Sequence, residues 1–84
     1  MQTQKTPLTL DKMQVGTTCR VVGFVEMPRN KRRHLLDMGI TRDCRITVTK
    51  KAPLGDPVSV TVRGYDLCLR KKDMSFILVE EEKI

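Results

Sequence analysis

Apolar residues along this chain fall in short bursts, and the spacing inside each burst limits what it can become. From Cys19 to Val25 the residues Val21, Val22, Phe24 and Val25 put apolar groups on both faces, which predicts a largely buried strand with a bulge or bend at Gly23. Cys44, Ile46 and Val48 alternate with Arg45, Thr47 and Thr49, so residues 44–50 read as a half-buried strand. Val58, Val60 and Val62 alternate in the same way, and the two segments should pair antiparallel across the loop Lys51–Pro57. A turn at Arg63-Gly64-Tyr65-Asp66 leads into Leu67-Cys68-Leu69, where alternation directs Cys68 outward. After a break at Lys71-Lys72-Asp73-Met74, Phe76-Ile77-Leu78-Val79 completes the pattern.

Only Pro28 to Met38 has helical spacing, with Leu35, Leu36 and Met38 on one side and Arg29, Lys31, Arg32 and Arg33 around the rest. Pro28 suits the first helical turn, whereas Met27 stands where a capping side chain would be expected. Gly39 suits the left-handed position just beyond the helix, letting Ile40 pack back on Leu35.

Five short strands with one small helix after the first predict an all-β domain. Such strands hide their edges by curling towards closure. Both a five-stranded SH3-like barrel and an OB-fold satisfy this, and the early helix favours the SH3-like barrel. The predicted domain spans residues 8–80, between a loose N-terminal tail over 1–7 and a C-terminal tail over 81–84.

Composition narrows the function classes. With 84 residues, 39% apolar and 31% charged, the chain suits one small folded domain and excludes a two-domain enzyme. Met1 to Asp11 lacks the apolar stretch of a secretory signal, and no apolar run approaches a membrane span, so the expected location is the cytoplasm. Cys19, Cys44 and Cys68 are too widely spaced for a zinc knuckle and odd in number, which favours reduced thiols. A net charge of +6 favours an anionic partner without choosing among nucleic acid, lipid and an acidic protein face.

Candidate chemistry is sparse. One histidine, His34, has Asp37 three residues on, and two such ligands with scattered thiols do not hold a transition metal. No base accompanies the thiols and no Gly-rich phosphate loop is present, so neither a catalytic role nor a bound cofactor is expected. Two features remain. Pro53 to Pro57 is either a stiff connection or a rigid mount that presents Leu54 as an apolar anchor. The runs Arg70-Lys71-Lys72 and Arg29 to Arg33 are either solvated faces or one positive docking surface. A nucleic-acid-binding barrel is the alternative, although Phe24, Tyr65 and Phe76 are the only aromatic residues, and both phenylalanines read as core.

Three motifs taken in order, Leu35-Leu36-Asp37-Met38-Gly39-Ile40, Ala52-Pro53-Leu54-Gly55-Asp56-Pro57 and Leu67-Cys68-Leu69-Arg70-Lys71-Lys72-Asp73, resemble the FeoA family. The resemblance covers roughly residues 8 to 80. It implies a small cytosolic SH3-like accessory of bacterial ferrous iron uptake, partnered with the cytoplasmic face of FeoB, a GTP-dependent permease, and without enzymatic activity of its own. The expected partner-binding residues are then Leu54, Gly55, Asp56, Pro57, Arg70, Lys71, Lys72, Arg32 and Arg33. Nucleic acid is not expected; contact with an anionic membrane surface and self-association stay open. Where the family commonly has Pro-Gly after the helix, this chain has Arg42-Asp43, which implies a turn that tolerates ordinary residues.

Overall fold

A computed structural model describes residues 8–82, and the expected tail over 1–7 lies outside the described residues. The elements in order are β1 (Leu8–Thr9), a 3₁₀ turn (Leu10–Lys12), β2 (Thr18–Phe24), α1 (Arg29–Asp37), β3 (Arg45–Lys51), β4 (Val58–Val62), β5 (Tyr65–Leu69), α2 (Lys71–Met74) and β6 (Ile77–Glu81). All strands join one antiparallel sheet in the order β1-β6-β2-β3-β4-β5. The mostly-β class and the antiparallel β3–β4 pairing agree with the pattern. Strand number and helix position differ from it. β1 adds a sixth strand, of two residues, too short to carry an alternation signal, and α1 therefore follows the second strand. The last strand still pairs Glu81 with Cys19, one residue past the expected domain boundary.

Inward residues alternate along every long strand. In β2, Cys19, Val21 and Gly23 are buried while Arg20, Val22 and Phe24 are only half-covered, so the strand is one-sided and not buried on both faces. Val25 lies beyond its end. The register against β6 slips between Val21 and Gly23, leaving Val22 as the extra residue of a bulge at the expected place. Sixteen side chains, from β2 to β6, the 3₁₀ turn, α1, α2 and the loops, form one cluster. Leu35 is α1's buried contribution, whereas Leu36 is 45% exposed, one helical step too far round to share that face. Residues 71–74 form the helix α2 in place of a plain break, with Met74 inserted in the core. Phe24 is half-buried against the edge of the core instead of central, and Phe76 is half-buried.

Several reversals depend on left-handed backbone. α1 ends in a Schellman motif: Ile40 N–H donates to Leu35 O at 3.0 Å and Gly39 N–H to Leu36 O at 2.9 Å, with Gly39 at φ +86°. At its start, Pro28 itself is the extended cap, not the first helical residue, and its carbonyl accepts from Lys31 and Arg32. Thr41 O then accepts from Cys44 N–H at 3.2 Å, closing a turn with Asp43 at φ +69°. The expectation of a turn that suits ordinary residues is overturned. Asp43 sits where a type II turn requires positive φ, in the place where Pro-Gly sequences put glycine, because aspartate tolerates that region better than most residues. Between β4 and β5, Arg63 (φ +53°) and Gly64 (φ +85°) alone make a two-residue turn of the type I′ sign. β5 consequently starts at Tyr65, opposite Val62, two residues earlier than the pattern suggested.

Cys19 is fully buried and donates to Ile46 O at 3.5 Å. Burial, then the charges of Cys44, Glu81 and Glu82, push its thiol pKa from 9.0 up to about 12.

Two outcomes are expected. Gly39→Val should lower stability by about 1 kcal/mol or more, because a Cβ there has ordinary room beside Arg63 but the backbone angle is strained for a β-branched residue. Thermal melting checks it. The folded chain keeps the Cys19 proton where the unfolded chain has lost it, so this contribution is full below pH 9.0 and is lost as pH rises towards about 12. Urea midpoints measured across that window should fall more steeply in the parent chain than in Cys19→Ala.

Candidate partner-binding surface

The loop between β3 and β4 is tied at both ends. Ala52 N–H donates to Pro57 O at 3.1 Å across its base, and Gly55 N–H donates to Ala52 O at 2.7 Å within it. Pro53 and Gly55 hold the second and fourth positions of that turn, where proline presets φ and glycine is favoured. Gly55 has φ +88° and the Asp56-Pro57 peptide is cis. Leu54 stands at the tip, 95% exposed, a large apolar side chain on a backbone whose freedom is already spent.

Asp56 fastens this loop to α2. Its Oδ1 accepts the backbone N–H of Lys71 at 2.8 Å, so a residue from a distant loop does what a capping side chain would do, and α2 has no side-chain cap of its own. Leu54, Gly55, Asp56 and Pro57 are thereby brought together with Arg70 and Lys71. Lys72 follows in the same helix, where its carbonyl accepts from Ser75 Oγ at 2.6 Å. The two helices that carry the basic runs are joined: Lys31 of α1 pairs with Asp73 of α2 at 3.2 Å, and that carboxylate is 13% exposed. Arg32 is drawn over the Phe24 ring, 5.8 Å from its centroid, and Arg33 is exposed on α1. Neither makes a hydrogen bond or ion pair to the loop among the described residues.

Other candidates stay apart. Cys68 is exposed on β5, 3.7 Å from Ser59 Oγ, while Cys19 and Cys44 are buried. Among the described residues no three His, Cys, Asp or Glu side chains gather as metal ligands, and no helix is long and apolar enough to cross a membrane. Tyr65 is the exposed aromatic ring, at 72%.

The family model of the FeoA domain matches residues 8–81. The chain belongs to the FeoA domain family. A solved FeoA-like protein from Clostridium acetobutylicum is 37% identical to this FeoA domain, with TM-score 0.85 over 93% of this chain and 90% of that one. A FeoA from Stenotrophomonas maltophilia, described as a prokaryotic SH3 domain protein complexed with zinc, shares the fold at 22% identity, with TM-score 0.75 over 87% and 89% of the two chains. In sequence, 49 residues are 41% identical to part of a Porphyromonas gingivalis fusion of Fe(2+) transport protein A with the Fe(2+) transporter FeoB. That stretch is 58% of this chain and 6% of the fusion protein's length.

The sequence of this FeoA domain concealed a second charged feature. Arg20, Arg42, Arg45 and Arg63 line one open cavity of about 490 Å³ together with Asp43 and Cys44. Their scattered positions carried no local motif. The sole hint was Arg63 beside Gly64, a dipeptide suited to a tight hairpin.

Removing the Asp56 carboxylate should loosen α2. Asp56→Ala is expected to cost about 0.5–2 kcal/mol, the range for losing a capping acceptor. Hydrogen exchange at the Lys71 amide should speed up while amides of β2 stay protected.

Proposed function

We propose that this FeoA domain docks on the cytoplasmic face of a FeoB-type, GTP-dependent ferrous iron permease, and that Leu54 is the apolar anchor of the contact. The observation that carries the reading is the mount: Leu54 is 95% exposed, yet its loop is closed by the Ala52–Pro57 and Ala52–Gly55 hydrogen bonds and pinned to α2 by Asp56. An exposed leucine on a rigid loop loses little entropy on binding, the condition for an efficient contact. Arg70, Lys71 and Lys72, with Arg32 and Arg33 farther along, supply positive charge that steers encounter with an acidic surface.

Membership of the FeoA family supports a part in ferrous iron transport, and the fused FeoB of the P. gingivalis relative supports FeoB as the partner. Covalent linkage makes docking intramolecular, so a modest interface suffices in such a fusion. Regulation of the permease fits this domain better than chemistry of its own, because a rigidly mounted apolar side chain beside positive charge suits contact with a partner.

Leu54→Ala should weaken binding to the purified permease by about 1–3 kcal/mol with an unchanged melting temperature. Lys71→Glu combined with Lys72→Glu should instead slow association, most at low ionic strength. Binding kinetics across salt concentrations, with ferrous-iron-dependent growth alongside, read both. Normal binding and growth by both folded variants would reject this surface, and tight salt-sensitive binding to mixed RNA would favour the nucleic-acid reading.

A further inference from the structure

The arginine cavity stands apart from the permease reading. Arg20 comes from β2, Arg42 from the turn after α1, Arg45 from β3 and Arg63 from the β4–β5 turn. Like charges drawn together repel, so the convergence needs an opposing charge. The fold supplies part of it. Asp43 and Glu80 accept from Arg20 Nη1 and Nη2 at 2.9 and 3.3 Å, and Glu82 accepts from Arg45 Nε at 2.7 Å. Arg63 gives Nε to Gly39 O at 3.2 Å and Nη2 to Thr41 Oγ1 at 2.9 Å, both neutral acceptors. Arg42 has no carboxylate within 4.0 Å among the described residues. The guanidinium of Arg42 and the terminal nitrogens of Arg45 are therefore left to donate elsewhere.

Backbone strain gathers at the same place. Asp43 and Arg63 are the non-glycine residues with positive φ among the described residues, and both line this cavity. Left-handed backbone is unfavourable for an L-residue, and clustered strain is a mark of a site that needs fixed geometry. Here it holds Arg20 through Asp43 and aims Arg63 by its own turn. Cys44, the one apolar side chain of the lining, is buried, so the groups the cavity presents to a ligand are mainly guanidinium donors. A ligand must be held by charge and hydrogen bonds. Planar guanidinium forks match phosphoryl oxygens two at a time.

We infer that this cavity binds a phosphate-class oxyanion, held by Arg42, Arg45 and Arg63 against the fixed wall of Arg20. A free polyphosphate and a phospholipid headgroup share that chemistry. Pyrophosphate titrated at constant ionic strength should give saturable amide shifts at residues 42–45 and 63–64. Arg42→Gln with Arg45→Gln should weaken the affinity at least tenfold. Arg42→Gln alone, which breaks no ion pair, should weaken it in the same direction, while Arg29→Gln with Arg33→Gln, an equal loss of charge on α1, should leave it unchanged. Flotation with phosphatidylglycerol vesicles, against phosphatidylcholine, separates the sources: retention that the cavity variants abolish assigns the headgroup, and pyrophosphate binding without retention assigns a free anion. Absence of saturable shifts together with absence of retention would overturn the site. So would an equal loss in the α1 variant.

Discussion

A sheet with a single apolar face has to curl until that face is shut off from water, and the rest of this molecule follows from that requirement. Val21, Ile46, Val48, Val60, Leu69, Ile77 and Val79 bring their inward groups from five strands into one cluster. Flat strands would leave that cluster open on one side. The Val22 bulge bends β2, and Leu10, Leu35 and Met74 add buried groups from the 3₁₀ turn, α1 and α2. Tight reversals are the other consequence, and they explain the left-handed backbone at Asp43, Gly55, Arg63 and Gly64.

Those reversals are also where the exposed chemistry sits. Arg63 is both a turn residue and a tie: its side chain reaches the Gly39 carbonyl, just beyond the end of α1, where a cation is favourably placed near the helix C-terminus. One arginine thus couples the β4–β5 hairpin to the connection between α1 and β3. Asp56 does the same for the loop after β3 and the helix α2. Each tie joins segments that are distant in the chain, so the surface loops are held by long-range contacts and not by local turn propensity alone. The two positive regions differ in build as a result. The lysines of α2 are point charges on flexible stems beside an apolar tip, whereas the arginines of the cavity are forked donors, three of them fastened by their neighbours.

Alternation determined which residues of β3 and β4 face inward, since a period of two leaves one assignment that buries valine and isoleucine, whereas the uniformly apolar Phe76-Ile77-Leu78-Val79 carries no such signal. Gly39 and the apolar pair Leu35 and Ile40 determined how α1 ends, because their spacing satisfies the last carbonyls locally. The order of the three motifs was likewise enough to point to the family. Tertiary structure decided the rest. β1 exists only because β6 offers it an edge, α2 only because Met74 finds the core and Asp56 reaches Lys71, and Asp43 keeps a left-handed angle because its amide donates to Val21 O at 2.8 Å. Whether the basic runs meet, and which arginines share a cavity, depends on contacts between residues far apart in the chain. Period and propensity describe neighbours a few residues away, so they carry no information about such meetings.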